Sequence, residues 1–169
     1  MLCTTADPED GLISAGEKGF QLTWMDAKVD DWVVTPREGK PVEINALWYN
    51  SLKIFEMLGE KFGSEVHEYS LLARQVKTSF RKAFWNNQSR CLYDNIQPNN
   101  EPDVSIRPNQ IFSVFLPFSI LEPFQESAIV DVVFKHLYTS MGLRSLSPED
   151  PKYVGKYSGG RKDRDGAYH

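Results

Sequence analysis

Residues 43–63 read EINALWYNSLKIFEMLGEKFG and residues 64–85 read SEVHEYSLLARQVKTSFRKAFW. In the first string Ile44, Leu47, Trp48, Leu52, Phe55, Leu58 and Phe62 recur at three- and four-residue steps, which predicts a helix whose apolar face is that stripe and which Gly63 ends. In the second, Ser64 is a candidate N-cap, and Val66, Tyr69, Leu72, Ala73, Val76, Phe80, Ala83 and Phe84 carry the same period to about Trp85. Two helices joined so tightly are expected to run antiparallel.

Working outward, residues 1–42 hold Gly11, Gly16, Gly19, Gly39, Pro8, Pro36 and Pro41 and no long helical period, so they read as a structured loop. Between Asn86 and Pro108 the chain is irregular again, with a short strand expected at Cys91-Leu92-Tyr93 between Asn-rich turns. Ile111 to Phe118 is nearly all apolar and too short for its period to separate helix from buried strand; its helical neighbours favour helix. Pro123 at a first-turn position, followed by Ile129, Val132, Val133, His136 and Leu137, predicts a last amphipathic helix ending before Gly142, with loop beyond it.

The length, 169 residues, suits one globular unit with a real core. A net charge of −4 lacks the basic footprint that nucleic acid requires. No stretch approaches 18 uninterrupted apolar residues, so a membrane partner is not expected either. Cys3 and Cys91 have no metal-ligand spacing and are too few for a disulfide scaffold; with no apolar leader at Met1-Leu2-Cys3-Thr4, a reducing cytoplasm is the expected setting. No metal or cofactor is implied. Four tryptophans, seven tyrosines and ten phenylalanines supply flat rings that suit core packing and sugar faces alike.

Three segments hold residues suited to chemistry. Gln21 to Lys28, QLTWMDAK, sets Asp26 in a loop near Trp24. A carboxyl beside an apolar ring can serve as a general acid near neutrality if its pKa rises by roughly 2 to 3 units; taken alone, such an aspartate is more often a turn or cap residue. Glu43, Leu47 and Asn50 stand at helical steps, so that Glu43 either joins a cleft or is simply a first-turn acid favoured by the helix dipole. Arg107-Pro108-Asn109-Gln110 offers a guanidinium and amides that suit vicinal hydroxyls or a neighbouring carboxylate, and suit helix capping equally.

The strings DGLISAG (10–16), QLTWMDAK (21–28), VVTPREGKPVEINALWYN (33–50), RPNQIFSVFLPFS (107–119), GLRSL (142–146) and RDGAYH (164–169) resemble, in order, the glucosidase domain of bacterial and archaeal-type glycogen debranching enzymes. The resemblance implies an all-α fold, part of an (α/α)6 barrel of helical hairpins with long active-site loops, over residues 1–169 as a single partial domain. It implies hydrolysis of α-1,6-linked glucose at glycogen branch points with inversion, and glycogen or a branched α-glucan as partner. It places the general acid on Asp26 and puts Trp24, Lys28, Arg37, Glu43, Trp48, Asn50, Arg107, Asn109, Gln110, Arg144 and His169 in strings that line the substrate site. The general base is expected in a segment after His169. A ring of twelve helices needs on the order of 250 to 300 residues or more, so the chain is expected to be part of such a domain, inactive by itself and self-associating through an exposed apolar flank. The alternative is a non-catalytic glucan-binding remnant. Where the family pattern has glycine, this chain has Asp30, in a turn expected to need φ > 0.

Overall fold

The computed structural model describes residues 4–167; His169 and Cys3 lie outside the described residues. Helices α1 (Val42–Phe62) and α2 (His67–Phe84) are the longest elements. They run antiparallel, since Phe55 stacks on Tyr69 at 5.6 Å while Lys77 lies 5.7 Å from the Tyr49 ring. Gly63 ends α1 in the left-handed conformation, φ 69, and its N–H together with that of Ser64 bonds back to the Gly59 carbonyl. Gly59 is the contact point of the hairpin: a Cβ there would stand 1.9 Å from Val66 Cγ1. Ser64 is not the cap of α2; Val66 holds that position, without a side-chain bond.

On α2 the expected face is the one that packs, with Ala73, Val76, Phe80 and Phe84 buried and the last two rings 4.7 Å apart. On α1 the packed face is rotated from the expected stripe. Val42, Ala46, Tyr49 and Leu52 are buried, whereas Leu47, Phe55, Leu58 and Phe62 are exposed. The reason is polar: Glu43, Asn45 and Asn50 on the same side find hydrogen-bond partners in the loops, so the face that goes inside is the mixed one. The core joins α1 and α2 to Leu12, Leu92, Ile96, Ile120 and Leu121 and to Ile129, Val133 and Leu137 of a later helix.

The all-α, part-barrel expectation is overturned. Among the described residues the chain is 41% helix and 15% strand, with five α-helices and five small antiparallel sheets. The Gly-, Pro- and Asn-punctuated segments fold back on themselves into ladders two or three residues deep: Thr4–Ala6 with Ile13–Ala15, Lys28–Val29 with Trp32–Val33, Trp85–Asn86 with Cys91–Leu92, Tyr138–Thr139 with Gly142–Leu143, and a three-stranded set of Lys40–Pro41, Asn95–Ile96 and Pro102–Asp103. Strands this short carry no period of their own. Helical hairpins do not follow one another either. Pro108–Ile111 is a single 3-10 turn leading into α3 (Phe112–Phe115), and Leu116, forced extended at ψ 149 by Pro117, ends the run that the apolar pattern extended to Phe118. Helix α4 (Pro123–Leu137) begins at its proline as expected, with Glu122 and Gln125 forming a reciprocal capping box. Beyond it, where loop was expected, lies a short helix α5 (Arg161–Gly166). No helix among the described residues is long and apolar enough to cross a membrane.

The loops before α1 are tied across its N-terminal end. Asn45 accepts from Ile13 N–H (2.7 Å) and donates to the Ile13 carbonyl, while Ala15 and Gly39 exchange backbone bonds at 2.9 Å. Gly39, φ 105, lies so close to the next strand that a Cβ would meet the Ile96 carbonyl oxygen at 2.1 Å. Asp30 adopts φ 54, the left-handed conformation expected at that turn, which aspartate tolerates better than most residues.

Candidate active site

Pairing of Lys40–Pro41 with Asn95–Ile96, together with the Val42 N–H bond to the Asp94 carbonyl (3.1 Å), helps to bring four charged side chains together next to Met25 of the loop that carries Asp26. Arg37 is 1% exposed; its Nη1 donates to Asp94 Oδ2 at 2.6 Å and its Nη2 to Glu43 Oε2 at 2.5 Å. Arg107 Nε stands 3.6 Å from Asp94 Oδ2, and Asn109 Nδ2 donates to Asp94 Oδ1 at 2.8 Å. Two guanidiniums and two carboxylates are thus buried as a balanced set, the condition under which charges survive burial. Asn109 faces the other way as well, its Oδ1 accepting from Trp24 Nε1 at 2.8 Å. Met25 Sδ lies 3.4 Å from both Arg37 Nη1 and Asn109 Nδ2.

The two residues before Asp26 are therefore anchored. Met25 is buried, Trp24 is held by its indole N–H with its ring about half exposed, and Asp26 itself is exposed. Of the other residues expected to line a site, Lys28 donates to the Gly19 carbonyl and lies over the Phe20 ring. Trp48 packs against the core with Nε1 on the Gly11 carbonyl. Asn50 clamps the backbone of Phe118, and Gln110 accepts from Leu92 N–H. Arg144 is half-buried with its N–H on the Leu137 carbonyl, and the carbonyl of the next residue, Ser145, accepts from Arg107 Nη1 at 3.2 Å. Sequence reasoning missed Asp94, the residue on which the cluster turns.

Burial pushes the Glu43 carboxyl up to about 7, against the pull of Arg37, and raises Asp94 for the same reason. A carboxyl that titrates near 4.5 unfolded and near 7 folded binds its proton more tightly in the native state. Its contribution is thus fully present below about pH 4.5 and lost as pH rises through 7, a change on the order of 3 kcal/mol. Urea midpoints are accordingly expected to fall between pH 5 and pH 8, and to fall less in Glu43→Gln. An unchanged slope in that variant would show that Glu43 is not the group responsible.

Exposed Asp26 thus follows directly on two residues that the buried set holds, one of them the half-exposed Trp24. The family model described as amylo-alpha-1,6-glucosidase matches residues 3–169. The chain belongs to that family, the glucosidase domain of glycogen debranching enzymes.

Proposed function

We propose that the domain hydrolyses α-1,6-linked glucose at glycogen branch points by inversion, with Asp26 protonating the leaving oxygen. What carries this reading is the one exposed carboxylate in the QLTWMDAK loop, standing directly after two residues that the buried cluster holds. Inversion requires a second carboxylate on the far side of the sugar ring to activate water. Asp94 and Glu43 are both buried on arginine, and the family resemblance puts the base in a later segment. This reading assigns Trp24, Asp26, Lys28 and Arg144 to contact with the sugar. Arg37, Glu43, Arg107, Asn109, Gln110, Trp48 and Asn50 act through the loops and helices they fix. The setting is the cytoplasm, where glycogen lies.

Phe55, Phe62, Phe115, Phe124 and Phe134 leave large rings on the surface, which supports self-association of this chain. Two preparations test both parts. Alone, the chain is expected to bind maltooligosaccharide, to release no glucose from a branched limit dextrin and to sediment as an oligomer. Joined to the segment supplying the second carboxylate, it is expected to release glucose. Binding without release by that longer protein would favour the non-catalytic glucan-binding alternative, and a monodisperse active monomer of the chain alone would place the base within it.

A further inference from the structure

We propose that Asp94 is a positioning residue for the Asp26 loop, acting through the side-chain amide of Asn109 on Trp24. This deepens the reading of Asp26 as general acid and, in its catalytic meaning, rests on it.

Asp94 is 2% exposed and its two carboxylate oxygens are divided: Oδ1 takes Asn109 Nδ2 at 2.8 Å, and Oδ2 takes Arg37 Nη1 at 2.6 Å with Arg107 Nε at 3.6 Å. A carboxylate only accepts, so it dictates which end of the Asn109 amide faces it. With Nδ2 directed to Asp94, Oδ1 is left facing Trp24, whose indole N–H can only donate. The orientation of one amide, set 15 residues from Asp94 in sequence, thereby decides whether a tryptophan 85 residues away has an acceptor. The same two donors, Arg37 Nη1 and Asn109 Nδ2, also face Sδ of Met25, the residue directly before Asp26.

Substituting Asp94→Asn makes the chain of dependence testable, because an amide has a single acceptor oxygen where the carboxylate has two. Arg37, being charged, forms the stronger bond and keeps that oxygen. Asn109 then meets an NH2 group and turns over, presenting its own NH2 to the Trp24 N–H, donor against donor.

The measurement is solvent exchange of the Trp24 indole proton by nitrogen-15 NMR on the full chain, assigned with Trp24→Phe, with the amides of Val76 and Phe80 in α2 as the control for folding. Asp94→Asn is expected to speed exchange at Trp24 at least tenfold while the α2 amides stay protected. Glu43→Gln also alters the cluster but leaves the Asp94–Asn109–Trp24 bonds in place, and it is expected to leave Trp24 protected. A cluster that acts merely as packing would release Trp24 equally in both variants, which would overturn the proposal, as would continued protection in Asp94→Asn. Should Asp94→Asn fail to fold, Asn109→Leu removes the amide while Asp94 keeps both arginines, and unaltered Trp24 exchange there overturns it equally. None of these readouts involves hydrolysis, so they are independent of the activity of an Asp26 variant: an active Asp26→Asn enzyme would refute the acid assignment and leave the anchoring result standing.

Discussion

Replacing Asp26 with asparagine is expected to lower glucose release from a branched α-glucan by roughly 10²- to 10⁴-fold, the usual effect of removing a positioned proton donor, in the form of the domain that has both carboxylates. Glucan affinity is expected to stay within a few-fold of normal. The amide has nearly the shape of the carboxyl and still offers hydrogen bonds to a sugar, but it has no proton to deliver as the glycosidic bond breaks. Stability should hardly change, because the Asp26 side chain is exposed and the anchoring falls on Trp24 and Met25. The assay is glucose release against substrate concentration, paired with an equilibrium measurement of oligosaccharide binding. Turnover near the parent rate would remove Asp26 from the acid role.

The second large effect is structural. Arg37 is the only side chain bonded to both Asp94 and Glu43 among the described residues, and its exchange for methionine would leave two buried carboxylates facing each other. Breaking such a buried arrangement by deleting one partner costs about 3 to 5 kcal/mol, which is a large share of the roughly 5 to 15 kcal/mol that holds a domain folded. Part of that loss is expected to be relieved at low pH, where protonated Glu43 and Asp94 no longer repel; raised carboxyl pKa values make this relief begin at mildly acidic pH. Urea unfolding of Arg37→Met at pH 5 and pH 8 tests both statements. A loss under 1 kcal/mol at pH 8 would mean that water reaches the carboxylates and that the cluster is not sealed.

The elements legible in the sequence were those with a local cause. Gly63 terminates α1 because a glycine takes φ 69 without strain, Pro123 starts α4 because its missing N–H has no partner in a first turn anyway, and the Val76, Phe80 and Phe84 stripe on α2 enters the shared apolar core. What escaped reading depends on residues far apart. The buried side of α1 is chosen by loops that satisfy Asn45 and Asn50, and apolar spacing says nothing of that. The small sheets escaped because two-residue ladders have no alternation to detect, and the family's helical barrel led away from them.

At the site, Arg37, Glu43, Arg107 and Asn109 were all singled out and do converge, but on one another and away from solvent. Asp94 sits between Tyr93 and Asn95 in what reads as an ordinary turn. A signal for it existed in the inventory: two arginines and an asparagine amide set against Glu43 alone are an excess of donors, and a buried excess requires a second acid.

The Trp24–Asn109 bond closes a loop spanning 85 residues. For chains of that length the entropy of closure grows only logarithmically, so doubling the loop would cost about 0.6 kcal/mol. Exposed turns inside it, such as Asn99–Asn100, are thus places where residues can be inserted with almost no penalty to the bond. Such exposed turns are free to lengthen over generations while Asp26 stays where it stands, provided that the inserted residues leave Asp94 and its arginines undisturbed.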